Sequence, residues 1–159
     1  MVAMNPNIAV QLISSTIACV GFAIIFKIRG RQVVYSGIGA FCTWAVYLLV
    51  YECYEPDNFL ATLVASIFVA AYAEIMARVN KAPATIFLTA SVFPLIPGAN
   101  LYYMMYGLMM ENTKMASYNA IQLVLTCLGI ALGFIVVEIL NKYLGMFYEQ
   151  LRHAHSMRK

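Results

Sequence analysis

The sequence predicts an all-α integral membrane protein of about five transmembrane helices, the fourth broken at a P-x-x-P-G run, with the N-terminus outside and the C-terminus inside. Three observations predict it. Of the 159 residues 63% are hydrophobic and only 11% charged, with mean hydropathy +0.79, whereas a soluble domain carries about 25% charged residues. The apolar residues fall into five runs divided by short polar loops. The basic residues sort onto alternate loops. Such a composition excludes a disordered chain or coiled coil, and a net charge of +3 is too dilute for a nucleic-acid partner. At roughly 20 residues per span the length holds about five spans. No soluble domain fits between them, so residues 1–159 form one transmembrane domain.

The first run is Ile8 to Phe26, closed by Lys27, Arg29 and Arg31. No Lys or Arg precedes it and no small-residue cleavage site follows it, so it is expected to remain as a helix rather than leave as a signal peptide. Val33 to Tyr51 is the second run, ending at Glu52, Glu55, Pro56 and Asp57. Phe59 to Ala77 is the third, followed by Arg78, Lys81 and Pro83. Ala84 to Met110 is the fourth, closed by Glu111 and Lys114; Asn119 to Leu140 is the fifth, followed by Lys142 and a basic tail.

With the N-terminus outside, the inner segments carry Lys27, Arg29, Arg31, Arg78, Lys81, Lys142, Arg152, Arg158 and Lys159, and the outer ones only Lys114. Nine of ten basic residues on one side is the positive-inside pattern, and an odd number of spans makes the alternation work. A four-span version with one re-entrant run is the alternative. Tyr47, Tyr51, Tyr54, Tyr102, Tyr103, Tyr106 and Tyr118 gather toward the outer ends, and Tyr35, Tyr143 and Tyr148 toward the inner, as aromatic belts do.

Helices associate in lipid through small residues and interhelical hydrogen bonds. The fifth run holds Gly129 and Gly133 in a GxxxG; the second has Ser36, Gly37, Gly39 and Ala40, and the third Ala61, Ala65, Ser66, Ala70 and Ala73. These faces suit packing within one bundle first and a homo-oligomer or other subunit interface second. Ser14, Ser15 and Thr16 are expected to bond back to their own helix carbonyls. Cys19, Cys42, Cys53 and Cys127 have neither metal nor disulfide spacing and read as small buried hydrophobes.

The fourth run carries the functional signal. Its 27 residues, 13 on either side of Pro97, would make a straight helix of about 40 Å, against a hydrocarbon core of roughly 30 Å. An interior proline removes a backbone hydrogen bond and collides with the carbonyl four residues back, at about 3 kcal/mol or more. Here those carbonyls belong to Ala90 and Phe93. Broken backbone is tolerated at membrane depth only where protein or a watery cavity satisfies it. Two half-helices, about 84–93 and 98–110, are therefore expected to meet near mid-membrane. Free N–H groups around Gly98 to Leu101 would present partial positive charge and freed carbonyls the opposite, the arrangement that holds an anionic substrate in secondary transporters. The competing reading is a proline kink that only shapes packing. Pro94, Pro97, Gly98, Ala99, Asn100 and Leu101 are the candidate substrate-binding residues, and Tyr102 and Tyr103 candidates for an outer vestibule.

Among ionisable residues near the bilayer, Glu74 precedes Arg78 by four residues and Glu138 precedes Lys142 by four, ion-pair spacing on a helix. Beside that structural reading stands a functional one, proton coupling or an inner gate. His153 and His155 lie in the basic tail with no metal pattern. No nucleophile–base pair, phosphate loop or metal cluster is legible, so neither an enzyme nor a cofactor is expected.

The stretch Phe93-Pro94-Leu95-Ile96-Pro97-Gly98-Ala99-Asn100-Leu101-Tyr102 resembles the central span of the ThrE-type threonine/serine exporters, in particular their small YjjB-like subunit. Length, short loops and span order extend the resemblance over essentially the whole chain. It implies export of threonine and serine, or of dicarboxylates such as succinate, together with a larger partner subunit. It carries substrate contact onto Pro94, Pro97, Gly98 and Asn100. The charged and histidine motif of the partner half has no counterpart here, so coupling chemistry is expected to lie partly in that partner. From the residues and the resemblance together, the expected function is one subunit of a plasma-membrane secondary exporter for small carboxylate-bearing metabolites, threonine or serine first. A non-transporting scaffold subunit and, more weakly, a channel are the rival readings.

Overall fold

A computed structural model describes residues 8–28, 30–53 and 58–156, with side chains described as far as Met146. Arg29, Tyr54, Glu55, Pro56, Asp57, Arg158 and Lys159 lie outside the described residues, as do the side chains of Tyr148, Arg152, His153 and His155. The described chain is helical throughout, with no strand among the described residues. Helix α1 runs Ile8–Ile25, α2 Arg31–Cys53, α3 Asn58–Asn80, α4 Ala84–Ser91, α5 Gly98–Met109 and α6 Thr113–Ser156, with a 3-10 turn at Phe93–Leu95 between α4 and α5. Helices α1, α2, α3 and α6 are each long and apolar enough to cross a membrane. The α4 and α5 pair, bent by 50° at the break, makes the fifth span when taken as one. The fifth predicted span is longer than expected: α6 continues past Leu140 through Lys142 to Ser156.

Three helices stop by the same device. Lys27, Lys81 and Glu111 take positive φ of 57°, 51° and 54°. The next residue in each case donates its N–H to the carbonyl five back: Ile28 to Ala23 at 3.0 Å, Ala82 to Ala77 at 3.1 Å, Asn112 to Gly107 at 2.8 Å. This is the Schellman closure, in which a left-handed residue satisfies the last helical carbonyls. Using charged residues there costs some backbone strain but leaves each side chain at a helix end, where it reaches water. Asn112 then starts α6, its Oδ1 accepting from Met115 N–H at 3.1 Å, an N-cap bond.

Helix α3 is the axis of the bundle, with Ala61, Thr62, Ala65, Ser66, Val69, Ala70 and Ala73 buried. Small residues on its neighbours let the backbones approach, as packing in lipid requires. A Cβ built on Gly133 would lie 1.9 Å from Ser66 Oγ, and one on Gly129 3.3 Å from the Phe59 carbonyl oxygen. Ser66 Oγ–H also reaches the Gly129 carbonyl, at 3.1 Å. The GxxxG thus packs inside the chain, α6 on α3. On α2, Ser36, Gly37, Gly39 and Ala40 are buried together, and a Cβ on Gly39 would meet Ser91 Oγ at 2.4 Å and the Tyr72 ring at 2.5 Å. Ser91 Oγ–H donates to the Ser36 carbonyl at 3.1 Å, tying α4 to α2.

The Ser14, Ser15 and Thr16 hydroxyls bond back to Val10 and Leu12 carbonyls, as their position predicts. The cysteine expectation needs correction: Cys19 is buried, but Cys53 and Cys127 are exposed, because they fall on outward faces of α2 and α6. The expected ion pairs also fail to form among the described residues. Arg78 instead donates from Nη2 to Asn141 Oδ1 at 3.3 Å, and neither Glu74 nor Glu138 has an ionic partner.

Candidate functional site

The broken span folds as its prolines require. Helix α4 ends at Ser91, two residues short of the expected boundary, and a 3-10 turn follows. Leu95 N–H closes onto the Val92 carbonyl at 2.9 Å and Ile96 N–H onto Phe93 at 3.2 Å. The carbonyl that Pro97 would have orphaned at Phe93 is therefore recaptured by the tighter turn, as often happens at helix ends. Ile96 is extended and Pro97 sits at φ −78°, ψ 56°, so the chain turns there and α5 starts at Gly98. At 1.5 Å per residue the two arms are roughly 12 Å and 18 Å long, together one membrane thickness.

Protein covers the break on several sides. Leu95 is buried with Ala65 and Val69 of α3, against Val46, Tyr47, Leu88 and Val92. The Phe93 ring stacks on Phe22 of α1 at 3.8 Å and touches Phe26 at 6.1 Å. These contacts fix the turn from both the core and the α1 side.

On its remaining side the break opens a cavity of about 230 Å³. Pro94 to Asn100 form one wall; Trp44 and Tyr47 of α2, Asn58 and Thr62 of α3 and Thr126 of α6 form the other. Five of the six predicted binding residues, Pro94, Pro97, Gly98, Ala99 and Asn100, come together here. Leu101 does not: it faces outward, about half exposed. Of the four N–H groups expected to be free, two are spent. Gly98 N–H reaches the Ile96 carbonyl at 2.8 Å, and Leu101 N–H the Pro97 carbonyl at 3.1 Å. The N–H groups of Ala99 and Asn100 remain without an acceptor among the described residues, at the positive end of the α5 dipole.

Asn58 organises the opposite wall. Its Oδ1 accepts from Tyr47 Oη–H and its Nδ2 donates to Gln122 Oε1, each at 3.2 Å. Thr62 Oγ1–H donates to the Asn58 carbonyl at 2.7 Å, and Thr126 Oγ1–H to the Gln122 carbonyl at 2.8 Å. Among the described residues no Asp, Glu, Lys, Arg or His lines the cavity, whose polarity there comes from amides, hydroxyls and backbone. Trp44, Asn58, Thr62 and Thr126 were not among the residues singled out from the sequence, and Tyr47 was read only as an aromatic-belt residue. The only available hint was the polar Asn58 at the head of an apolar run; nothing in spacing says that three helices turn these side chains toward Pro97.

A wider space of about 800 Å³ adjoins it toward the α5–α6 turn, sharing Asn58, Ala99 and Asn100 and lined further by Tyr103, Lys114, Tyr118 and Asn119. Of the two vestibule candidates only Tyr103 lines it. Tyr102 is 63% exposed and meets Tyr103 edge-on at 5.3 Å, on the outward face of α5. At the other end of the bundle Glu74 and Glu138 line a single 300 Å³ pocket with Leu88 and Phe134.

An interrupted span wrapped by apolar helices, with a polar cavity at its break, is the architecture of a multi-pass membrane protein and an arrangement that secondary transporters use. The chain belongs to the family described as "Threonine/Serine exporter, ThrE", whose model matches residues 11–140. That match takes in α2 to α5 with the break, and most of α1 and α6. Neither the curated proteins nor the solved structures compared with the chain match it.

Proposed function

We propose that this chain is one subunit of a secondary exporter for small carboxylate-bearing metabolites, threonine or serine first, and that its substrate sits in the cavity at the break. The observation that carries this reading is the pairing of two unsatisfied N–H groups, on Ala99 and Asn100, with a 230 Å³ space between the arms of one span. Helix N-termini hold anions because their N–H groups and dipole point at the ligand. A volume of this size accommodates a small amino acid.

The chain sits in the plasma membrane with its N-terminus outside, following the sorted basic residues. It works with a larger ThrE-type partner that supplies the ionisable groups its own cavity lacks. Efflux of threonine from cells carrying both halves, against cells lacking this chain, tests the assignment. Undiminished efflux without this chain would reduce it to a scaffold or remove it from the path.

Glu74 and Glu138 are assigned to the inner gate or proton coupling, since both face one pocket and neither is neutralised by a paired cation. In proteoliposomes the joint Glu74→Gln, Glu138→Gln variant is expected to bind threonine normally and to lose most of the acceleration given by an imposed proton gradient. Full acceleration in the variant would locate coupling elsewhere.

A further inference from the structure

We infer that Trp44 is the side-chain donor that holds the substrate carboxylate in the cavity, acting beside the backbone N–H groups of Ala99 and Asn100. The inference rests on the reading of the break as the substrate site and adds to it the residue that recognises the anion.

Comparing the donors along the lining leads there. A hydroxyl has one hydrogen to give, and an indole donates only through Nε1. The hydrogens of Tyr47, Thr62 and Thr126 are already given, to Asn58 Oδ1, the Asn58 carbonyl and the Gln122 carbonyl. Asn58 gives one amide hydrogen to Gln122 and keeps a second, and the Asn100 side chain also lines the cavity, but neither amide is a buried nitrogen without a partner. Trp44 differs. Its Nε1–H is buried and has no hydrogen-bond partner among the described residues, although the ring lines the cavity. An unsatisfied buried donor is costly, and in lipid no bulk water relieves it. A donor kept in that state beside a cavity is one whose acceptor arrives with the ligand.

The ring is also held in place. It stacks on Tyr47 at 4.8 Å and 13°, and Tyr47 is in turn fixed by Asn58. On its other side Trp44 shares with Pro94 the wall of a second space, lined by Gln11, Ser14 and Ser15 of α1. The indole thus forms the partition between two spaces. Recognition then divides by polarity: Trp44, Ala99 and Asn100 give hydrogens to a carboxylate, while the oxygens of Tyr47, Thr62 and Thr126 keep lone pairs for ammonium or hydroxyl hydrogens.

Trp44 is the chain's single tryptophan, so its fluorescence reports the contact directly. The purified full chain in lipid nanodiscs is titrated with L-threonine and with threoninol, which lacks the carboxylate. A saturable spectral change with threonine and none with threoninol is expected. Binding of radiolabelled threonine is measured in parallel on wild type and on Trp44→Phe, which keeps the aromatic stack and removes the N–H. Loss of a hydrogen bond to a charged group predicts binding about tenfold or more weaker. Threonine binding equal to wild type in Trp44→Phe, or a Trp44 spectrum that ignores bound threonine, overturns the assignment of Trp44 and leaves the site standing. No threonine binding to the wild-type chain, alone or with its partner, overturns the site itself. Wild-type titration keeps the test decisive if the Phe variant does not fold.

Discussion

Gly98→Leu stops substrate movement while leaving the bundle folded. A Cβ placed on Gly98 meets nothing within 4 Å, and its backbone is not in the left-handed region that only glycine favours. No packing reason therefore forbids a side chain there, and Gly98→Ala is expected to fold and transport as the parent does. Yet Gly98 lines the cavity between Pro97 and Ala99, and a leucine is expected to extend into the space proposed for the carboxylate. Overfilling a close-fitting site costs about 1–3 kcal/mol, which is roughly 5- to 150-fold in affinity. Export measured at matched membrane levels of the three proteins checks this. Parental export by Gly98→Leu would mean that substrate does not pass the break.

Gly133→Leu has the opposite signature, loss of the folded protein itself. Its Cβ falls 1.9 Å from Ser66 Oγ, 2.8 Å from Ser66 Cβ and 3.0 Å from the Ile67 amide nitrogen. The first contact is relieved by turning a side chain, but the others involve a Cβ and backbone, so α3 and α6 must separate. In lipid these two helices are held by close packing and by interhelical bonds, of which Ser66 to Gly129 lies at this contact. The expected cost is about 3 kcal/mol or more for leucine and less for Gly133→Ala. Combining Gly133→Ala with Ser66→Gly removes both Ser66 atoms and is expected to restore most of the loss. Thermal unfolding in detergent measures all four proteins. Equal destabilisation by Gly133→Ala with and without Ser66→Gly would show that the clash is not the cause.

The contrast between these glycines shows what the sequence makes legible. Span number, the packing glycines and the interruption at Pro94–Gly98 all follow from local rules, apolar length, small-residue spacing and proline sterics, each read from adjacent residues. What the interruption exposes depends on distant residues. The 3-10 turn recaptures the Phe93 carbonyl, and Gly98 and Leu101 use their own N–H groups; proline rules count lost bonds but not replacements. Leu101 and Tyr102 lie three and four residues beyond the turn at Gly98, where the helix has rotated them away from the cavity. Trp44 and Thr126 sit on helices 82 residues apart in sequence, and only packing brings them to one cavity. The Glu74–Arg78 pairing failed for a similar reason: helical spacing permits it, but Asn141 of α6 competes for the guanidinium.

That the break is where substrate binds is tested most directly by Ala99→Cys in a chain whose four native cysteines are replaced by serine or alanine. Ala99 borders both the cavity and the wider space beside it, so a small membrane-impermeant thiol reagent is expected to reach it through that space. L-threonine is expected to slow the labelling of this cysteine in a concentration-dependent way, while a control cysteine at the exposed, outward-facing Tyr102 keeps its rate. Unchanged labelling of position 99 at saturating threonine, in a protein that still exports it, would contradict the account.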